Sequence, residues 1–104
     1  MAFLNKLKTV GTQTLRVSGE VRRLALPSNA IEAVLVFEAD STASDTQKAA
    51  RWWSDGSEPN AGEGMLLGDH SVMELTHRQD LEAFRIIGIE PGKTHLVSIT
   101  YYGF

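Results

Sequence analysis

Ala49–Met65 reads AARWWSDGSEPNAGEGM: a short apolar run carrying Trp52 and Trp53, an Asp55-Gly56 pair, then a loop with Pro59, Gly62 and Gly64. Glycine accepts the positive φ of a tight connection, so Asp-Gly after an apolar run signals a hairpin. The chain is therefore expected to reverse here. Successive side chains of a strand point to opposite faces, which puts Ala50 and Trp52 on one side and Arg51 and Trp53 on the other. Trp52 is read as inward, beside small Ala50, and Trp53 as outward, beside Arg51.

Working outward, period-two alternation recurs on both sides. Ile31 to Ala39 gives the clearest strand, with Ile31, Ala33, Leu35, Phe37 and Ala39 on a core face and Glu32, Val34, Val36 and Glu38 on the other. That second face is apolar in its middle and acidic at both ends, so Val34 and Val36 are expected to be covered by a loop or another subunit. Upstream, Leu15 and Val17 begin an alternation that Gly19 interrupts and Val21 to Leu26 resumes in shifted phase, as a break or bulge would produce. Pro27-Ser28-Asn29 closes it as a turn. Residues 1–13 show weak periodicity and read as an N-terminal arm or edge segment, leaving 14–104 as a single β-sandwich domain. In the arm, Phe3, Leu4, Leu7 and Val10 have no core of their own and are expected to order against a neighbour.

Asp40 to Lys48, DSTASDTQK, lacks an apolar anchor and reads as a mobile loop. Met65 to Leu67, a Gly68-Asp69-His70 turn and Ser71 to Thr76 read as a second hairpin, with Met73 and Leu75 inward. Helical spacing competes only around residues 76–84, where Asp80 is a candidate N-cap. Phe84 to Ile89 and Leu96 to Tyr102 complete the strands, separated by a Glu90-Pro91-Gly92-Lys93 turn. Seven to eight short strands with turns roughly every eight to twelve residues predict an all-β fold, an antiparallel β-sandwich or jelly-roll-like barrel. The alternative is α+β with a real helix at 76–84. The expected core is Leu24, Leu26, Leu35, Phe37, Trp52, Met73, Leu75, Phe84, Val97, Ile99 and Tyr101.

Composition narrows the function. The chain has 104 residues, 42% of them hydrophobic and 22% charged, which suits one folded domain with a modest core. A net charge of -3 and no basic run longer than Arg22-Arg23 disfavour nucleic acid as a partner. The absence of cysteine excludes disulfides, thiolate metal sites and cysteine nucleophiles. The first residues lack the apolar core of a signal peptide, and no stretch of about 20 apolar residues could cross a membrane, so a soluble protein made without export is expected.

No motif for chemistry stands out. His70, His77 and His95 lack the local spacing of metal ligands and read as surface or turn histidines. Gly56, Gly62 and Gly64 are not followed by the Lys-Ser or Lys-Thr of a phosphate loop and read as a long hairpin connection. Asp55, Glu58, Glu63 and Asp69 all fall in turns, where solvated acids are the norm, and no serine sits in a GxSxG context. The sequence thus predicts no catalytic residue, cofactor or metal. Arg51 beside Trp53 is the more informative pair, either a protein contact or a sugar-stacking platform, unless Trp53 simply packs beneath the 56–64 loop.

The order of elements resembles a family of small virion proteins of tailed bacteriophages. The matching features are Leu24-Ala25-Leu26-Pro27, the Ala30-to-Phe37 strand, Arg51-Trp52 leading to Asp55-Gly56 and Pro59, Gly64-Met65, the Leu81-to-Ile87 segment and Ile99-Thr100-Tyr101-Tyr102, together spanning residues 15–102. The DSTASDTQK insertion and Trp53 depart from that pattern. The resemblance implies a β-sandwich that decorates or cements a phage head, or sits elsewhere on the virion, with no active site. Its expected partners are the major capsid protein, other virion proteins and copies of itself, and its expected interface is Phe3, Leu4, Leu7, Val34, Val36, Arg51 and Trp53. The competing expectation is a carbohydrate-binding module stacking sugars on Trp53, Tyr101 or Tyr102, followed by an accessory subunit of a bacterial complex.

Overall fold

The computed structural model describes residues 7–104. Seven strands run in the order β1 (Lys8–Val17), β2 (Ala30–Glu38), β3 (Ala49–Trp53), β4 (Met65–Gly68), β5 (Val72–Leu75), β6 (Arg85–Gly88) and β7 (His95–Gly103), with one short helix, α1 (Arg78–Ala83), between β5 and β6. They form two antiparallel sheets, a four-stranded one ordered β1-β7-β2-β5 and a three-stranded one ordered β4-β3-β6. The fold is an all-β sandwich without barrel closure, and α1 is a single turn and a half rather than the second layer of an α+β domain.

The alternation read from sequence builds the core. On β7, Val97 stands opposite Phe37 on one side and Leu15 on the other, Ile99 opposite Leu35, and Tyr101 opposite Ala33. These residues are buried together, and Ala50, Leu67 and Ile86 of the smaller sheet, with Leu81 and Phe84, close the core from the other side. A fully buried Leu, Ile or Phe contributes about 1.5–3 kcal/mol relative to exposure. Trp52 points inward as the alternation requires: its ring stacks on Phe84 with centroids 5.8 Å apart, although its outer edge stays half-exposed. Leu24, Leu26 and Met73 are also half-buried against the core instead of wholly inside it.

Several expectations are corrected. Residues 8–13 take the edge alternative and not the arm: they belong to β1, an edge strand hydrogen-bonded along β7 from Lys8 opposite Gly103 to Val17 opposite His95. Gly11 is part of that ladder, opposite Tyr101, rather than a joint. Phe3 and Leu4 lie outside the described residues. Val21 to Leu26 forms no strand; Arg22 alone makes a two-bond bridge to Ile86, and the chain otherwise runs irregularly after the break at Gly19. Met65 to Thr76 is not a second hairpin, because β4 and β5 belong to different sheets and residues 69–71 carry the chain across. His70 takes a positive φ of 64° there, and its amide donates to the Phe37 carbonyl. The N-cap of α1 is His77, not Asp80, which lies in the first turn.

Candidate functional site

The outward face of the four-stranded sheet follows from the pairing register. One row across it is Thr12, Thr100, Val34 and Glu74, and the next is Thr14, Ser98, Val36 and Val72. Tyr102 and Glu32 flank these rows at one end; Arg16, Leu96 and Glu38 do so at the other. Two β-branched side chains opposite each other stabilise a strand pair, yet Val36 is 40% and Val72 62% exposed. Beside them, a cavity of about 280 Å³ is lined by Leu7, Val34, Leu75 and Tyr102 together with Glu32 and Glu74. The fold thus brings Leu7 to Val34, as an interface set requires. Val72 was missed, although inward Met73 and Leu75 fix it outward, opposite Val36.

A second apolar strip went unread. Met65 and Leu66 of edge strand β4 are 53% and 61% exposed, and three residues connect β4 to β5, where Val72 sits. Their signal was present in the Met-Leu-Leu run, where Leu67 faces the core in register with Ala50, Leu66 faces the other way beside Arg51, and Met65 stands opposite Trp52 at the open start of the strand.

Arg51 and Trp53 occupy the outward face of the smaller sheet, away from Val34 and Val36. The Arg51 guanidinium donates to the Ala61 carbonyl at 3.1 Å and the Gly64 carbonyl at 2.9 Å, so Nε and Nη1 hold the 54–64 loop. Gly64 makes this possible: its φ is +129°, and an added Cβ would sit 3.0 Å from the Arg51 Cβ and 3.1 Å from the Pro59 Cβ. Asp55-Gly56 is the start of this loop, Gly56 donating to the Ala83 carbonyl, and the reversal between β3 and β4 takes the whole loop. Trp53 is half-buried, opposite Arg85. Tyr101 cannot stack on a sugar, because it is core; its hydroxyl donates to Gln13, and burial pushes its pKa up to about 12. Tyr102 lies on the outward face of the other sheet, so Trp53 and Tyr102 share no platform.

The DSTASDTQK segment is not a free loop. Ala43 is buried and Asp45–Gln47 forms a 3-10 turn. The Asp40 carboxylate accepts from the Thr42 hydroxyl and amide and from the Thr94 amide; these bonds hold its pKa down at about 2. Glu90 accepts from the Ser44 hydroxyl and amide, which lowers its pKa, and Asp69 accepts from the Ala39 amide with the same effect. Ala39, Asp40, Ser41 and Lys48 line a cleft of about 600 Å³ together with Arg16, Asp69 and His70.

His70 and His77 are exposed, but His95 is not a surface histidine: its exposure is 0%. Nδ1 accepts from the Asp40 amide at 2.9 Å, which leaves the proton of the neutral ring on Nε2, and that buried N–H has no partner. The ring lies 5.2 Å from that of Phe37, and Gly88 faces its other edge, where an added Cβ would come within 3.1 Å of Cδ2. Among the described residues, no group of three or more His, Asp or Glu side chains is placed to hold a metal ion. Comparison with protein-family models, curated proteins and solved structures gives no match for this chain.

Proposed function

We propose that this domain is a non-catalytic structural protein of a tailed-phage virion, a capsid decoration or cement protein that binds the major capsid shell, or copies of itself on that shell, through the outward face of its four-stranded sheet. The observation that carries the reading is the open Val36/Val72 pair on the outward sheet face, at its β5 edge. Apolar side chains gathered on one surface favour a protein contact, because covering them removes apolar area from water. Function in this reading is binding and reinforcement, exercised in the virion after synthesis in the host cytoplasm.

The test is a charge placed where contact is expected. Val36→Lys combined with Val72→Glu alters only exposed side chains and sets opposite charges across the pair, so the melting temperature should stay within a few degrees of the parent's, as surface changes are usually within about 0.5 kcal/mol each. Sedimentation velocity should show concentration-dependent association of the parent, and co-sedimentation with purified phage heads should pellet it; the double variant should lose both. A parent protein that stays monomeric at every concentration and never pellets with heads would end this proposal, and so would micromolar binding of a defined sugar on a glycan array that Trp53→Ala abolishes.

A further inference from the structure

We propose that His95 is an acid-released latch on the 40–48 segment: protonation turns Nδ1 from an acceptor into a donor, breaks its bond with the Asp40 amide, and frees that segment while the two sheets stay folded. The ring is wholly buried at the start of β7, and its only hydrogen bond among the described residues is the one that reaches the segment. Doubly protonated, it would oppose the Asp40 N–H with an N–H of its own, and its second N–H already lacks an acceptor. A charged ring enclosed this way is costly unless the structure opens to water, and the side that gives way is the one held by turns rather than by sheet ladders.

Charged groups reach this corner from the neighbouring elements. The carboxylates of Asp40 on the segment, Asp69 in the crossover and Glu90 in the last turn act on the ring, with Lys48 and His70 near Asp69 and Lys93 near Asp40 and Glu90; Arg16 on β1 and Glu38 on β2 pair with Leu96 and lie on the outward face, on the other side of the sheet from the ring. Burial holds the His95 pKa below the ordinary 6.5, and the carboxylates of Asp40, Glu90 and Asp69 act in the opposite sense. The neutral ring therefore favours the folded corner, an advantage fully present above pH 6.5 and lost as pH falls from there through the depressed value. The same three carboxylates supply somewhere for the imidazolium to turn once the segment has moved. Because Ala39, Asp40, Ser41 and Lys48 wall the large cleft, release also reshapes that cleft.

Amide hydrogen exchange on the full chain tests this, corrected for the intrinsic pH dependence of exchange and read alongside the His95 ring signals by NMR. Between about pH 7.5 and about pH 5, protection at residues 41–47 should fall about tenfold or more in step with the ring's titration, while β2 and β7 amides keep theirs. His95→Gln, which carries no charge at any pH, should remove the pH dependence. If that variant fails to fold, the wild-type profile decides alone. Protection that stays constant while the ring titrates overturns the latch, as does loss of protection in the segment and both strands together, or an unchanged profile in His95→Gln.

Discussion

Trp52 and Trp53 are neighbours with different work. Trp52 stacks on Phe84 beside fully buried Ala50, whereas Trp53 faces away on the outer side of the same strand. Trp52→Ala should therefore cost about 3 kcal/mol and Trp53→Ala no more than about half of that, measured by urea denaturation. The reverse order would mean that the outer indole, and not the inner one, is the anchor of β3. Alternation alone made this pair legible, because a strand gives each residue only two choices of side. His95 obeys the same parity as Val97, Ile99 and Tyr101 and is buried with them, although the absence of metal-ligand spacing groups it with the surface and turn histidines. Ligand spacing tests for a metal site and says nothing of which way a strand residue points. The orphan N–H of His95 carries a cost of about 1–3 kcal/mol, a quantity that no one-dimensional pattern reveals.

At the scale of elements, the reading succeeded where apolar residues alternate and failed where polar side chains organise backbone. Nothing in DSTASDTQK is apolar except alanine, so no periodicity announces that carboxylates at 40, 69 and 90 tie it down. Asp40 gives a measurable consequence. Its pKa is depressed to about 2 by the Thr42 and Thr94 bonds, so its contribution to stability is present above the ordinary 3.8 and lost as pH falls through about 2. Asp40→Asn should destabilise the domain at neutral pH and flatten the pH dependence of its denaturation midpoint between 3.8 and about 2. An identical acid profile in parent and variant would mean that those bonds contribute nothing. The first strand gives another: deleting residues 2–11 removes the β1 positions opposite Gly103, Tyr102 and Tyr101 and uncovers core aromatic surface. The melting temperature should drop by several degrees or more. An unchanged value would restore the arm reading for residues 8–11.

For the whole molecule, sequence reading supplied the layers but not the wiring. An all-β sandwich follows from the number and spacing of apolar runs. Which strands share a sheet does not, since β4 and β5, adjacent in the chain, are divided between sheets by three residues with a positive φ at His70. The candidate interface was legible in half: Val34 and Val36 from their parity, Leu7 from its apolar start. The open partner Val72 depends on a register visible only once β2 and β5 are paired.

The strand order also governs when the fold can arise. The seventh strand lies between the first and the second, so β1 has no strand partner, and β2 has only β5, until the chain has been made through Gly103. The β3–β4 hairpin and the β2–β5 pair can close earlier; β1 must wait for pairings between residues about ninety positions apart, the kind that slows folding to milliseconds or seconds. A nascent chain stalled before His95 should therefore be protease-sensitive throughout β1, and release of the last nine-residue strand should protect it in a single step. Protection of β1 before β7 emerges would show that some other contact holds it. During synthesis the first strand made is thus the last to be secured, and its apolar side chains wait, exposed, for the partner at the far end of the chain.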